Sequence, residues 1–271
     1  MINLNNELLN RTNANLLALF PLKHFPITLD DIEKVYKRNV LGIQADAKTR
    51  KGTGKGYLTG IMYFAPASLS GVNICPKSSQ GCRSACLFSA GRGRFYSITR
   101  ARAIKTLAWH WDKARFIQTI KKSINSLLVK AKNKGLIPVV RLNGTSDILF
   151  EKNTDIIQSY PNIIFYDYTK ISQRFLAVRP SNYHLTFSLS ESNENEAVRV
   201  LQNGGNVAVV FSDTNFPSSY LGYSVVDGDT TDLRFLDLQN VVVALKAKGR
   251  AKQDTSGFVK DTGVLKNGIA A

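Results

Sequence analysis

The sequence predicts an α/β protein, organised as a partial (β/α) barrel of about six mostly parallel strands with a helical N-terminal cap. Two observations lead to this prediction. Six short and almost continuously apolar runs recur along the 271 residues, and segments with helical periodicity separate several of them. Strands that are apolar on both faces are typical of parallel sheets covered by helices. Six such strands suit a partial barrel or a doubly wound sheet, and we predict the former.

The N-terminal region is predicted to be a separate helical element. Leucines at helical spacing between residues 8 and 19 predict a helix, and Pro21 and Pro26 follow it. We therefore assign residues 1–45 to the cap and residues 46–271 to the α/β domain. The glycine-rich, basic segment at 48–56 lacks the spacing of a Walker phosphate loop, so we predict a flexible surface loop there.

The elements of the α/β domain follow from apolar patterning. Helices are predicted at 97–111 and 113–133, between the first two strands, and at 193–202. The second helix has an apolar stripe with lysines off it, which predicts a core-packed helix with a basic outer face. The acid-rich segment 227–237 is predicted to be a turn in which Arg234 pairs with an acid. The predicted strands are 58–64, 137–142, 162–166, 184–189, 207–211 and 241–245.

Polar residues follow several of these strands. In both candidate architectures, functional sites lie at the carboxyl ends of parallel strands. Asp147 follows the second predicted strand and Lys170 follows the third, so we take both as candidate catalytic groups. The alternatives are a helix N-cap for Asp147 and a solvated strand end for Lys170.

The three cysteines, Cys75, Cys82 and Cys86, form a C-x6-C-x3-C array after the first predicted strand. An odd number of cysteines in a reducing compartment argues against a disulfide framework, and thiolates suit zinc or iron–sulfur centres. A structural zinc site normally takes four protein ligands, and the three histidines have no zinc-finger spacing. The count therefore favours an iron–sulfur cluster with one iron not bound by cysteine. Three buried thiols without a metal remain the alternative.

The net charge of +16 is concentrated in one part of the chain. Between Lys48 and Lys134 there are 18 Lys and Arg residues and one acid, Asp112, so the whole excess lies there. Such a segment attracts polyanions, and we predict nucleic acid as a partner. The alternative is a solvated face that aids solubility. The chain has no apolar run that could span a membrane and no secretory signal at its start, so we expect a cytoplasmic protein.

Several motifs in their joint order resemble a phage family known as gene product 88. The resemblance covers roughly residues 40–260, and it implies expression in the cytoplasm of a bacterial host. It implies no biochemical role, because the family has none settled. The motifs are the cysteine loop, Gly93-Arg-Phe95, Arg100-Ala-Arg102, Val140-Arg-Leu-Asn-Gly-Thr-Ser-Asp147, Phe165-Tyr-Asp-Tyr-Thr-Lys170, Gly228-Asp229 with Asp237, and Leu245-Lys-Ala-Lys-Gly249.

The cysteine loop after a first parallel strand is also similar to the architecture of radical S-adenosylmethionine enzymes. That resemblance implies a 4Fe-4S cluster on Cys75, Cys82 and Cys86. The chain departs from the pattern in its cysteine spacing, which is x6 and x3 in place of x3 and x2. It also has Asn143-Gly-Thr-Ser-Asp147 where those enzymes have a Gly-Gly-Glu type motif for the cofactor's amino group. The second departure leaves S-adenosylmethionine binding without sequence support.

The function predicted from the sequence is a phage iron–sulfur protein with a radical-enzyme-like core, whose open iron or redox change serves an unidentified reaction. An electron donor is an expected partner of such a protein. Two alternatives remain open. One is a nucleic-acid-binding protein with a structural or redox-sensing cluster, and the other is a zinc-stabilised scaffold.

Overall fold

The computed structural model describes residues 2–22, 25–44 and 47–262, and a nine-stranded sheet forms its centre. The strand order is β1-β2-β3-β4-β5-β6-β9-β8-β7. β2 to β6 and β9 run parallel to their neighbours, and β8 pairs parallel to β9. β1 and β7 pair antiparallel at the two edges. The strands are β1 (Gly42–Ile43), β2 (Tyr57–Ile61), β3 (Ile137–Arg141), β4 (Ile164–Thr169), β5 (Tyr183–Ser188), β6 (Asn206–Phe211), β7 (Ser219–Tyr220), β8 (Tyr223–Asp227) and β9 (Val242–Lys246).

The strand order follows the chain order through the parallel block β2 to β6. No reversal of direction occurs there, so this block has no topological switch point of the doubly wound kind. The mixed α/β class with a mostly parallel sheet is confirmed. The prediction of about six strands was too low, because it missed the short edge strands β1 and β7 and the partly buried β8. The sheet is open, with β1 and β7 at its ends.

Nine α-helices lie within the described residues, and two long ones, α5 and α6, connect β2 to β3. The three helices predicted in the α/β domain are present within a residue of their expected bounds, and the predicted N-terminal helix is present as α1, which begins at Ile2. The segment predicted to be a flexible loop at 48–56 instead contains α3. The helices are α1 (Ile2–Leu19), α2 (Leu29–Val35), α3 (Ala47–Thr53), α4 (Gln80–Ser84), α5 (Tyr96–Trp111), α6 (Lys113–Asn133), α7 (Phe150–Asn153), α8 (Gln173–Leu176) and α9 (Glu194–Gln202). Across the described ranges, no helix combines the length and apolarity needed to cross a bilayer.

The core packs α5 and α6 against the first parallel strands. The rings of Phe64, Trp109 and Phe116 lie 5.8–6.2 Å apart, centroid to centroid, and all three are buried. At Gly60 in β2, an added Cβ would lie 2.9 Å from Cδ2 of Leu127, so glycine is required for α6 to approach the strand this closely. The two layers are therefore in direct contact.

The N-terminal helices dock on the outside of α5. The Tyr36 hydroxyl donates to the carbonyl of Ala108 at 2.8 Å, and Arg100 pairs with Asp31 at 2.7 Å. Asp31 also forms a capping box with Thr28 at the start of α2. The first helical segments thus pack against a helix of the α/β region.

The acid-rich segment 227–237 is a turn region, as predicted, and three of its four acids are paired with cations. Arg234 contacts Asp237 at 3.3 Å, so the predicted pairing with a nearby acid is present. Asp232 is buried and binds Arg141 at 2.9 Å, while Asp229 binds Lys248 at 2.6 Å. These carboxylates neutralise the cations that end β3 and follow β9.

Candidate metal centre at the cysteine loop

The loop that carries the cysteines crosses the carboxyl edge of the sheet between β2 and α5. Its first part is fixed to the segment after β3, because the backbone N–H of Asp147 donates to the carbonyl of Ile74 at 2.9 Å. Next to it, the Cys75 thiol lies 3.8 Å from the carbonyl of Thr145. The edge predicted to carry a functional site is therefore the edge over which the first cysteine lies.

The second cysteine lies in the short helix α4. Ser79 caps this helix by accepting from the N–H of Cys82 at 3.1 Å. The carboxylate of Glu191, just beyond β5, accepts from the N–H of Gly81 and from the Ser79 hydroxyl, both at 2.7 Å. A Cβ at Gly81 would lie 2.9 Å from that carboxylate, so glycine permits the contact. The carboxyl end of β5 thereby positions the helix of Cys82.

The third cysteine is followed by two 3₁₀ turns, Leu87–Ser89 and Gly91–Arg94. A further 3₁₀ helix, Gly249–Gln253, follows β9 and packs against the first of them. There the Arg250 N–H donates to the Ser89 hydroxyl at 3.2 Å. Gly249 has a φ of 58° and lies against Ser89 and Ala90, where a side chain would collide. The cysteine loop is thus held by residues beyond β2, β3, β5 and β9.

The three thiols are partly buried and are not joined in disulfides. Burial is the main cause that raises the pKa of Cys75 to about 12 and that of Cys86 to about 11. The charges of Cys86 and Cys82 raise the pKa of Cys75 further, and the charge of Cys82 raises that of Cys86. Backbone N–H groups of Ala67 (3.4 Å) and Phe88 donate to the sulfurs of Cys75 and Cys86 and favour their thiolates.

Among the residues that the structure describes, no three His, Cys, Asp or Glu side chains are arranged to hold one metal ion. Of the histidines considered as a fourth ligand, His24 lies outside the described residues. His110 is exposed in the last turn of α5, about 21 Å along the helix from its start near the cysteines. His184 lies in β5 and packs near the Phe235 ring, 6.0 Å between centroids.

A buried cation without a described partner lies beside the third cysteine. The guanidinium of Arg102, on α5, stacks over the Tyr63 ring at 4.6 Å. Its Nε and Nη1 are buried and have no hydrogen-bond partner among the described residues. Burial lowers the pKa of Arg102, while the charges of Tyr63 and Cys86 act in the opposite direction. The cysteine loop therefore faces a guanidinium that lacks an anion.

Lys105 lies one helical turn after Arg102 and adds a second cation. Burial, and then the charge of Arg102, lower the pKa of Lys105 to about 8. The sequence signal for this pair is an Arg-x-x-Lys spacing on a helix in a segment with no acid within reach. The sequence analysis counted both cations in the basic segment predicted to attract nucleic acid, and it did not predict their burial.

The predicted catalytic candidates Asp147 and Lys170 lie close together behind the loop. The carboxylate of Asp147 is buried, binds Arg174 at 2.9 Å and accepts from the backbone N–H of Lys170 at 2.8 Å. It does not cap α7, whose N-cap is Leu149. The Lys170 ammonium lies over the Phe258 ring at 5.4 Å and lowers the pKa of the Cys86 thiol. The charge of Asp147 acts in the opposite direction on the other end of the loop, where it raises the pKa of the Cys75 thiol.

Asp147 belongs to a closed network that the sequence did not predict. Arg174 also binds Glu151 through two nitrogen–oxygen contacts of 2.9 and 3.0 Å, and it donates to the Tyr183 hydroxyl at 2.8 Å. That hydroxyl in turn donates to Asp167 at 2.8 Å. Burial raises the pKa of Asp167 to about 6 against the opposing effect of these partners. The network is complete within itself and leaves its carboxylates occupied.

The basic segment is divided between two ends of the molecule. Exposed Arg83, Arg92 and Arg94 lie at the cysteine loop, near the carboxyl edge. Exposed Lys130 and the lysines after it lie in the last turn of α6, which leads into the start of β3 at the amino edge. Cations that lie in one stretch of sequence are therefore found at both ends of the molecule.

Comparison with known proteins gives one match. The model of a family described as gene product 88 matches residues 37–262, a range that contains the cysteine loop and all nine strands. No curated protein and no solved structure shows significant similarity to the chain.

Proposed function

This chain belongs to the gene product 88 family, and we propose that it is an iron–sulfur protein whose Cys75, Cys82 and Cys86 hold a 4Fe-4S cluster. One iron of such a cluster would not be bound by cysteine. Bound there, the cluster would supply one-electron transfer and an open iron position for a substrate atom. The observation that carries the proposal is a loop with three free, partly buried cysteines over the carboxyl edge of parallel strands, beside the Arg102 guanidinium, two of whose buried nitrogens have no partner among the described residues.

The hydrogen bonds around the thiols support this assignment. N–H groups of Ala67 and Phe88 directed at sulfur stabilise thiolates, and they are the kind of contact that tunes cluster sulfurs. An anionic centre at this position would also give Arg102 the partner that it lacks, and so remove the cost of burying an unpaired cation. The residues present therefore fit an anionic, sulfur-bound group.

A cluster is preferred to a single zinc ion for two reasons. A closed zinc site takes four protein ligands, and the described residues contain no group of even three His, Cys, Asp or Glu side chains that could hold one ion. In a cluster each thiolate binds a different iron, so the three sulfurs need not meet at one point. The proposal is compatible with an arrangement in which the described residues form no compact three-ligand group.

The sheet supports a radical-enzyme-like core as the finer architecture. Parallel strands that follow one another in chain order, from β2 to β6, are the winding of a partial barrel. S-adenosylmethionine is not included in the proposal. The side-chain amide of Asn143 donates to Asp167 at 3.2 Å and to the Ile148 carbonyl at 3.0 Å. The carboxylate of Asp147 binds Arg174, so both side chains are engaged within the buried network.

Metal analysis of anaerobically purified protein tests the proposal. We expect about four irons and four sulfides per chain, with the broad visible absorption of a cluster. Cys75→Ala, Cys82→Ala and Cys86→Ala should each lose most of the iron. Ser84→Ala, at an exposed position on α4, is the matched control and should keep it.

Zinc without sulfide would replace the proposal with a zinc-stabilised scaffold. Protein that binds neither iron nor zinc, also after anaerobic reconstitution with iron and sulfide, would reject a metal centre altogether. Three unligated thiols would then be the correct interpretation.

A further inference from the structure

We propose that the exposed basic surface over the cysteine loop binds single-stranded nucleic acid. This surface, called here the loop surface, is formed by two segments that are far apart in sequence. The inference goes beyond the proposed function, because it requires the fold of the loop and not the cluster. Its exposed members are Arg83, Arg92, Arg94, Phe95, Arg250 and Lys252.

Backbone contacts bring the two segments together. The 3₁₀ helix Gly249–Gln253, which carries Arg250 and Lys252, packs on the 3₁₀ turn Leu87–Ser89. The N–H of Arg250 donates to the Ser89 hydroxyl at 3.2 Å. The turn that carries Arg92 and Arg94 follows directly after Ser89. Five exposed cations therefore surround one short stretch of the loop.

The charge of the loop surface is not balanced by nearby acids. The chain has no Asp or Glu from residue 47 to residue 111. The carboxylates closest to the loop are engaged, since Glu191 caps α4 and Asp254 accepts from Ser256 and from the N–H of Val259. A polyanion approaching this surface therefore meets five cations against two carboxylates, which leaves the local field positive.

Two features favour single-stranded nucleic acid over other polyanions. Four of the five cations are arginines, whose guanidinium groups bind phosphates in a bidentate manner and stack on bases. Phe95 has 53% of its surface exposed and lies 6.0 Å from the guanidinium carbon of Arg94, measured to the ring centroid. Cations next to an exposed ring are the combination that holds phosphates and unstacked bases.

Fluorescence anisotropy with a labelled 20-nucleotide oligothymidine tests the interface, with metal content measured on the same sample. Arg92→Gln/Arg94→Gln should weaken binding at least tenfold at 50 mM salt. The logarithm of the binding constant falls with the logarithm of the salt concentration, with a slope near 0.7 per phosphate contact for single strands. Loss of two contacts in the double variant should therefore reduce this slope by about 1.4. Phe95→Ala should weaken binding of the oligothymidine by about tenfold and that of a duplex much less.

Lys130→Gln/Lys132→Gln is the matched control, because it removes the same charge from the opposite end of the molecule. We expect a change in affinity of less than threefold. Equal losses in the two double variants would overturn the proposal, as would the lack of binding at 50 mM salt. Displacement of the oligonucleotide by poly-glutamate at equal charge concentration would also overturn it, in favour of an acidic protein partner.

Discussion

Two buried arginines near the carboxyl edge of the sheet have opposite surroundings. Each nitrogen of Arg174 has a carboxylate or hydroxyl partner, supplied by Asp147, Glu151 and Tyr183. Arg102 has an aromatic ring beneath it and two buried nitrogens without a partner among the described residues. Burying a guanidinium without an anion is costly, so it indicates a position where an anion is expected from outside the chain.

The difference between the two arginines distinguishes residues that stabilise the fold from residues that are available to a ligand. The network around Arg174 connects the segment after β3 with the middle of β4 and the first residue of β5, and its side chains bind one another. The region of Arg102 faces the thiols and keeps unused donors. A closed network stabilises the fold, whereas an open one is available to a ligand. The following predictions test this division.

The largest effect is expected from Arg174→Met. This change leaves two buried carboxylates without their cation, so the free energy of unfolding should fall by about 3–5 kcal/mol. Urea unfolding at pH 7 measures it. Arg115→Met, which breaks an exposed pair with Glu33, is the control and should cost less than about 1 kcal/mol. A loss below that of the control would mean that the network does not hold the strand ends together.

A smaller change in stability, with a change in redox behaviour, is expected from Arg102→Met. Without the cluster, the variant should be within about 1 kcal/mol of the wild type or more stable, because an unpaired buried cation is removed. With the cluster, its reduction potential should fall, because a nearby positive charge favours the more negative reduced state. Redox titration monitored by electron paramagnetic resonance measures the potential.

Arg100→Met is the matched control for that variant, since Arg100 lies on the same helix but pairs with Asp31 at 2.7 Å. It should leave the potential unchanged. An equal shift in both variants would show that the effect comes from α5 as a whole. Normal iron content and an unaltered potential in Arg102→Met would contradict the assignment of Arg102 to the metal centre.

The smallest effect is expected from Lys105, and it depends on pH. Burial lowers the pKa of Lys105 in the folded protein to about 8 from an unfolded value of 10.5, so folding disfavours its charged form. The cost is fully present below pH 8 and disappears as the pH rises toward 10.5. Lys105→Met should therefore stabilise the cluster-free protein at pH 7, on the order of 1 kcal/mol, and have little effect near pH 10.

Urea unfolding of both proteins at pH 7, 9 and 10 gives this comparison. The wild type alone should gain stability between pH 8 and pH 10. Parallel pH profiles for the two proteins would contradict an enclosed lysine.

The sequence predicted the parallel strands and long helices because those elements are buried on regular faces. The helix at 113–133 was predicted with its observed bounds, since its apolar stripe is complete. The strands β1 and β7 have two residues each, too few for a pattern. α3 was missed because it contains glycines that disfavour helix locally. A Cβ added at Gly52 would lie 3.5 Å from the Leu233 side chain, so α3 packs closely on Leu233. This tertiary packing overrides the low helix propensity of glycine.

The candidate site could be predicted only as far as its composition. Three cysteines on one loop were visible, and their place at the carboxyl edge followed from the strand before them. The partners of Arg174 lie 9–27 residues away in sequence, at no helical or strand spacing, so no local pattern indicates them. The enclosure of Arg102 and Lys105 depends on how α5 lies against the end of β2, which periodicity does not specify.

The cap that Glu191 places on α4 has a consequence for the synthesis of the protein. The cysteines lie within twelve residues of one another, but this carboxylate is 110 residues beyond Gly81. At 5–20 residues per second, the ribosome takes about 5–20 s to reach it. During that interval the nascent thiols have emerged without the strand end that orders their helix. Delivery of a cluster, or oxidation of the thiols, therefore competes with completion of the sheet.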